Sequence, residues 1–179
     1  IKSNKLKEIY KDIQMVFQDA IGSFNPRFTI EESIMEYVCN LCSTTEADKK
    51  HKVDNLLRMV GLSKEYKYRY PHELSGGQCQ RAAIARALSA QPKILVCDEA
   101  TSALDVSIQA QIVELLKEMQ EKMNISYLFI THDLALVSSF CDRVAVMKNG
   151  KVVEVGDAKE VINNPMDEYT KLLIKSAYF

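Results

Sequence analysis

Three short apolar runs in this 179-residue chain each lead directly into polar residues that could do chemistry. The sets are Gln18 after IQMVF, Asp98 and Glu99 after KILVC, and Thr131 and His132 after SYLFI. Continuous apolar runs of this length are typical of strands in a parallel sheet. Because the carboxyl ends of parallel strands meet at one edge, where ligands bind, we expect an amide, two carboxylates and an imidazole to converge there.

The composition of this cluster indicates phosphate chemistry. Carboxylate and amide oxygens suit Mg²⁺, which keeps several waters and binds substrate phosphates. Neighbouring residues at a strand end point in different directions, so we expect Asp98 to hold the metal or its water and Glu99 to polarise an attacking water. The alternatives are a solvated Asp-Glu turn and a structural histidine at His132. Two apolar strands that lead into these groups favour the site.

The segment LSGGQCQR, which starts at Leu74, places two glycines at the beginning of a predicted helix. Helix amino termini carry unpaired N–H groups and partial positive charge, and therefore bind anions. Gly76 and Gly77 let a phosphate approach the backbone closely, and Ser75 adds a hydroxyl donor. A flexible hinge is the alternative, but it does not account for the flanking Leu74, Ser75 and Gln78. The segment therefore predicts a phosphate-binding helix terminus.

The remaining pattern predicts an α/β fold that positions these groups. Residues 29–88 have helical signals throughout, with one helix ending at Gly61, and indicate an all-helical subdomain that contains the glycine pair. Residues 1–28 and 89–179 alternate strands with helices, which predicts a largely parallel sheet core. We expect the strands at 93–97 and 126–130 to be buried on both faces. The further predicted elements are a helix over 106–123, a helix over 133–140 and a hairpin that turns at Asn149–Gly150.

Composition limits the class of protein. The chain is 47% hydrophobic and 26% charged, as in ordinary globular proteins, and no apolar run approaches the ~18 residues of a membrane-spanning helix. Its 23 basic and 24 acidic residues leave no overall basic surface for nucleic acid. The five scattered cysteines favour reduced thiols, and Cys39-x-x-Cys42 lacks the second pair of a metal site. For Arg81 and Arg86 we expect only salt bridges on a helix surface.

Taken together, the motifs resemble the nucleotide-binding domain of ATP-binding cassette (ABC) ATPases. The matching segments, in the order of the family, are the Q-loop glutamine Gln18, the signature LSGGQ from Leu74, the Walker B strand ILVCDEA with Glu99, the D-loop SALD ending at Asp105, and the switch histidine His132 in THD. QMVFQDAIGSFNPR and the segment NNPMDEYTKLL are similar to importers of oligopeptides, dipeptides and nickel. Ala20, where that subgroup usually has proline, should alter only the rigidity of a local turn.

This resemblance implies a P-loop NTPase-type fold that uses ATP and Mg²⁺. It implies catalytic roles for Glu99 and His132, metal binding by Asp98 and Gln18, and nucleotide binding by a wider set: Gln18, Ser75, Gly76, Gly77, Gln78, Asp98 and Asp105. Two such domains would pack head to tail with ATP between them. The implied partners are a second ABC ATPase domain, transmembrane permease subunits and, indirectly, an extracytoplasmic solute-binding protein, with the ATPase at the cytoplasmic face of the membrane.

One departure concerns the P-loop, G-x-x-x-x-G-K-[ST], which the family carries upstream of the Q-loop. None of the six glycines lies in that pattern. We therefore expect the chain to correspond to the portion after the P-loop helix, to bind ATP poorly by itself and to hydrolyse none. Two alternatives stay open: an interaction module that keeps the fold without hydrolysis, and a non-transport ABC ATPase, which should show long coiled coils or a tandem cassette. The cargo, whether peptide, dipeptide or nickel, is not encoded here.

Overall fold

A computed structural model describes residues 3–41, 46–101 and 104–177, which divide into two units, 1–130 and 131–179. The elements of the first unit are α1 (Ser3–Asp12), β1 (Ile13–Val16), α2 (Ile30–Leu41), α3 (Glu46–Met59), the 3-10 helices Lys64–Tyr68 and Pro71–Glu73, α4 (Gly76–Leu88), β2 (Ile94–Asp98), α5 (Val106–Met123) and β3 (Ser126–Ile130). Those of the second unit are α6 (Leu134–Phe140), β4 (Arg143–Lys148), β5 (Lys151–Asp157), α7 (Ala158–Asn163) and α8 (Glu168–Ala177).

The first unit is built on a parallel sheet with the strand order β1-β2-β3. Val16 lies opposite Cys97, and Asp98 lies opposite Ile130, so the carboxyl ends of all three strands meet at one edge. The N–H of Glu99 donates to the carbonyl of Ile130 at 2.9 Å and extends the ladder one residue beyond β2. The predicted parallel sheet is confirmed. The hairpin of β4 and β5 instead forms a separate two-stranded antiparallel sheet in the second unit.

One face of the parallel sheet is buried, and the helix α5 packs against it. Val16, Leu95 and Cys97 on this face are almost fully buried. The hydroxyl of Tyr127 on the same face donates to the carbonyl of Leu116 in α5 at 2.9 Å, which places that helix against β3. Burial of this kind supplies most of the stability of such a layer.

The opposite face of the sheet, which we call the open face, retains large exposed apolar side chains. Its exposed members are Ile13, Ile94, Leu128 and Ile130, and Leu128 is 56% exposed. The expectation that the strands at 93–97 and 126–130 are buried on both faces is therefore wrong. Successive side chains of a strand point to opposite faces, and only the alternate set is packed here. A continuous apolar run does not reveal which face is covered.

Local sequence signals account well for the helix ends and the hairpin. Gly61 follows α3 with φ +70, a conformation that suits glycine, and α5 spans the predicted 106–123 before Asn124 closes it at φ +52. Asn149 and Gly150 have φ +50 and +75, the paired positive values of a tight hairpin turn. The helical subdomain proposed for 29–88 lies wholly within the first unit, and its boundaries stay a prediction.

Three cysteines are free thiols in the described part of the chain. Burial raises the pKa of Cys79 to about 11 and that of Cys97 to about 12, and it also raises the pKa of Cys141. The first two are therefore unreactive packing residues at neutral pH. The Cys39–Cys42 pair lies outside the residues whose side chains are described. None of the described helices combines the length and apolar character needed to cross a membrane.

Candidate functional site

Gln18 and Glu99 meet at the carboxyl edge of the parallel sheet. The amide Nε2 of Gln18 donates to Oε2 of Glu99 at 2.7 Å, although 81 residues separate them in sequence. The register explains the contact, because Val16 pairs with Cys97, and Gln18 and Glu99 each follow two residues after this pair. The structure thus brings together two of the residues that sequence reasoning placed at this edge. Asp98, the last residue of β2, is half-buried and directly precedes Glu99.

Glu99 has an unusual backbone conformation for a residue with a side chain. Its φ is +45, in the left-handed region, which costs roughly 1–3 kcal/mol and persists only where surrounding structure enforces it. The bond from its N–H to Ile130 fixes the backbone at this point. The chain therefore turns sharply at the end of β2, where the carboxylate meets Gln18. Conformations of this kind cluster at functional sites.

His132 lies at the start of the second unit, in a turn held by its neighbours. Thr131 Oγ1 accepts from the N–H of Asp133 at 3.0 Å. Asp133 Oδ1 in turn accepts from the N–H groups of Ala135 and Leu136 at 2.9 and 3.1 Å, and so caps α6. The histidine is exposed on this turn. Its convergence with the groups of the first unit stays a prediction.

The glycine pair begins α4, and Ser75 caps that helix. Ser75 Oγ accepts from the N–H of Gln78 at 3.3 Å, while the N–H of Ser75 donates to Oε1 of Gln78 at 3.0 Å. This reciprocal capping box uses the side chains of both residues. The other end of the Gln78 amide, Nε2, donates to the hydroxyl of Tyr66 at 2.9 Å.

Two backbone donors are left over at this helix terminus. The N–H groups of Gly76 and Gly77 have no acceptor among the described residues, as expected for the first turn of a helix. Ser75 uses its hydroxyl oxygen as an acceptor in the cap, which leaves its proton available for donation. The terminus therefore presents three donors with the partial positive charge of a helix end, which suits a phosphate group.

These donors line a cleft with a volume of about 570 Å³. Its lining residues include Ser75, Gly76, Gly77 and Gln78, together with Tyr66, Arg81, Leu104, Asp105, Ile108 and Gln111. The carboxylate of Asp105 accepts from the N–H of Ile108 at 3.0 Å and caps α5. Neither Gln18 nor Glu99 lines this cleft, so the first unit carries two separate groups of predicted site residues.

Gly77 has a structural reason to be glycine that the sequence did not reveal. A Cβ built on Gly77 would lie 2.8 Å from Cγ2 of Ile108 in α5, a separation that real Cβ atoms do not reach without a shift. A Cβ on Gly76 would meet only Leu104 Cδ2, at an ordinary 3.7 Å. Close helix approach explains the glycine at 77, whereas nothing in the packing demands the one at 76.

Arg81 and Arg86 differ from the expectation of helix-surface salt bridges. Arg81 donates to the carbonyl of Val60 and to Oε1 of Gln111, both at 2.8 Å. Arg86 is only 8% exposed and donates to the carbonyl of Ser23 at 2.7 Å and to its Oγ at 2.9 Å. Both guanidinium groups therefore bind neutral oxygens on other segments and tie α4 to the rest of the first unit. Sequence periodicity showed these arginines on the helix but not their partners.

The donor and acceptor chemistry fits a nucleotide with Mg²⁺. The N–H groups of Gly76 and Gly77, which have no acceptor among the described residues, suit phosphate oxygens, while the carboxylate of Asp98 and the amide oxygen of Gln18 are hard donors of the kind Mg²⁺ prefers. No group of three or more His, Cys, Asp or Glu side chains arranged for a metal occurs in the described part of the chain.

Comparison with known proteins finds related sequences over nearly the whole chain. The family model for the ABC transporter matches residues 1–102. The dipeptide transport ATP-binding protein DppF of Lactococcus lactis is 47% identical over 98% of this chain and 57% of its own length. The oligopeptide transport ATP-binding protein OppF of Salmonella typhimurium is 48% identical over 98% of this chain and 53% of its own length. The chain thus spans about half the length of these relatives.

A solved structure extends the similarity to three dimensions. It is the ATP-binding cassette MJ0796, described as a dimer in a post-hydrolysis state bound to ADP and Pi. The two chains are 29% identical and superpose with a TM-score of 0.75 over 88% of this chain and 68% of that one.

Proposed function

We propose that this chain, which belongs to the ABC transporter family, forms part of the ATP-hydrolysing subunit of a peptide importer. Its α/β fold is that of the ABC ATPase cassettes. The observation that carries the proposal is the separation of the site residues into two groups within one unit. The donors around Gly76 open into one cleft, while Gln18 and Glu99 meet at the sheet edge and do not line it.

A head-to-tail pair of cassettes uses both groups at once. In this arrangement the cleft of one copy supplies Ser75, Gly76 and Gly77 as donors to the phosphates of a nucleotide held at the sheet edge of the other. Gln78 contributes by capping the donor turn, and Asp105 lines the same cleft at the start of α5. The dimeric neighbour bound to ADP and Pi supports this pairing. Hydrolysis then requires closure of the pair, because donors must surround the transferring phosphoryl group.

The sheet edge supplies the chemistry. Glu99 polarises the attacking water as general base, and Gln18 holds its carboxylate through the 2.7 Å hydrogen bond. His132 binds the γ-phosphate and orients the water. Asp98 and the amide oxygen of Gln18 would hold Mg²⁺, which, when bound, would neutralise part of the negative charge on the phosphates.

Two substitutions test these roles. The assay protein is this chain joined to the matching amino-terminal segment of the Lactococcus lactis relative, because the family carries its phosphate-binding loop ahead of the Q-loop. Glu99→Gln should bind ATP normally but lower the rate of hydrolysis about 10²–10⁴-fold, the contribution of a positioned base. His132→Ala should also lose most of the activity. Near wild-type turnover in Glu99→Gln contradicts the base assignment, and retained turnover in His132→Ala makes the histidine structural.

The proposal extends to the cargo and to the place of action. The names of the relatives assign dipeptide and oligopeptide transport to those proteins, which supports short peptides as the transported class. As parts of the same proposal, the subunit lies at the cytoplasmic face of the membrane next to permease subunits and acts indirectly with a solute-binding protein. Nickel remains an outcome of the test. Peptide-stimulated ATP hydrolysis in the reconstituted transporter supports the proposal, and stimulation by nickel alone contradicts it.

A further inference from the structure

We propose that Tyr66 is a positioning residue of the phosphate-binding cleft, and that its hydroxyl fixes the amide of Gln78 so that Ser75 and the glycine pair present their donors correctly. The observation is a continuous hydrogen-bond path. Gln78 Nε2 donates to the Tyr66 hydroxyl at 2.9 Å, and Oε1 of the same amide accepts from the N–H of Ser75 at 3.0 Å. The effect that we expect of Tyr66 on the rate of ATP hydrolysis rests on the proposed function.

The chemistry of the amide explains why the tyrosine matters. The N–H of Ser75 needs an acceptor, so the oxygen end of the Gln78 amide must face Ser75, and the nitrogen end must then find an acceptor of its own. The phenolic oxygen of Tyr66 is that acceptor. Without it the long glutamine side chain is held at one end only and regains rotamer freedom. The cap on Ser75, and with it the direction of the serine hydroxyl, then becomes less defined.

The position of Tyr66 is set by the helical part of the first unit. The tyrosine lies in the 3-10 helix Lys64–Tyr68, where its N–H donates to the carbonyl of Ser63 and its carbonyl accepts from the N–H of Arg69, both at 3.1 Å. Its side chain is half-buried and lines the cleft beside Gln78. The hydroxyl is therefore a fixed point supplied by a segment outside α4.

The chain offers a matched control in the same 3-10 helix. Tyr68 is 66% exposed, and its ring contacts Lys67 rather than the cleft. Tyr66→Phe and Tyr68→Phe each remove one oxygen and keep the ring. A general effect of removing a phenol from this segment appears in both variants, whereas loss of the Gln78 contact appears only in the first.

The first measurement uses the ligand-free chain. Solvent exchange of the Ser75 backbone amide, followed by NMR, should quicken about 2- to 10-fold in Tyr66→Phe, the change expected when one hydrogen bond is weakened. Exchange in Tyr68→Phe and exchange at the buried Leu116 amide in both variants should match the wild type. Equal Ser75 exchange in Tyr66→Phe and wild type overturns the proposal, and so does an equal increase in Tyr68→Phe.

The second measurement separates positioning from the proposed function. In the chain extended with the segment of the relative, Tyr66→Phe should lower kcat for ATP about 2- to 10-fold and leave KM within twofold, because the cleft acts only after the pair of cassettes closes. Unchanged kcat in the presence of faster Ser75 exchange overturns the link between the cap and turnover. If the extended wild type hydrolyses no ATP, the proposed function fails, while the exchange experiment still decides the role of Tyr66.

Discussion

Alanine at Gly77 should destabilise the first unit, whereas alanine at the adjacent Gly76 should stabilise it. Both positions are helical, so replacing either glycine removes the entropic penalty of glycine, about 0.5–1 kcal/mol. At Gly76 the new methyl meets Leu104 at 3.7 Å, an ordinary contact. At Gly77 it would stand 2.8 Å from the Ile108 methyl, well inside the roughly 3.5–4.0 Å optimum. Overpacking of this kind costs about 1–3 kcal/mol.

The difference between the two variants isolates the cost of the contact, because the backbone gain is shared. We expect Gly77→Ala to be about 1–3 kcal/mol less stable than Gly76→Ala in urea unfolding of the chain, followed by circular dichroism. The double variant Gly77→Ala with Ile108→Ala should recover most of that loss relative to the sum of its parts, since the two sites touch. Equal stability of the two alanine variants would refute the claim that helix approach dictates glycine at 77.

Two further predictions concern single contacts of the first unit. Arg86→Met should lower the free energy of unfolding by about 2–3 kcal/mol, because it leaves the two Ser23 oxygens without their charged donor. Arg86→Lys should not restore this stability, since lysine cannot donate two hydrogen bonds in the paired geometry of the guanidinium group. Unchanged stability of Arg86→Met in urea unfolding contradicts this role. The hydrogen bond from the N–H of Tyr70 holds the pKa of the Glu73 carboxyl below its usual 4.5. The stability that this bond contributes is therefore present above pH 4.5 and is lost as the pH falls through the lowered pKa. An NMR titration of Glu73 with a midpoint at or above 4.5 contradicts this prediction.

Elements whose formation depends on local signals were predictable from the sequence. The period of apolar residues predicted a helix over about 106–123, where α5 lies, and the Asn149–Gly150 pair predicted the hairpin turn, where both residues have positive φ. The rule that parallel strands end at one common edge predicted the meeting of Gln18 and Glu99, whereas the strand order itself was not predicted. Each inference used properties carried by the segment itself or by a general topological rule.

Features that depend on the identity of a distant partner were not predictable. The apolar run 126–130 reads as a fully buried strand, yet Leu128 on the open face is 56% exposed, because coverage is decided by other elements. The guanidinium of Arg86 donates to the carbonyl of Ser23, 63 residues away in sequence, and no feature of the α4 sequence indicates this partner. The need for glycine at position 77 was also not predictable, because it depends on the side chain of Ile108 in another helix.

The helix α4 is anchored at both ends by different parts of the first unit. Its first turn carries the Ser75 cap, and its last turn carries Arg86, which grips Ser23 in the loop after Gln18. At 1.5 Å per residue its 13 residues form a lever about 20 Å long, so a tilt of roughly 3° moves one end by about 1 Å. Because Arg86 ties the far end of the same helix to Ser23, α4 physically joins the glycine terminus to the loop that follows Gln18.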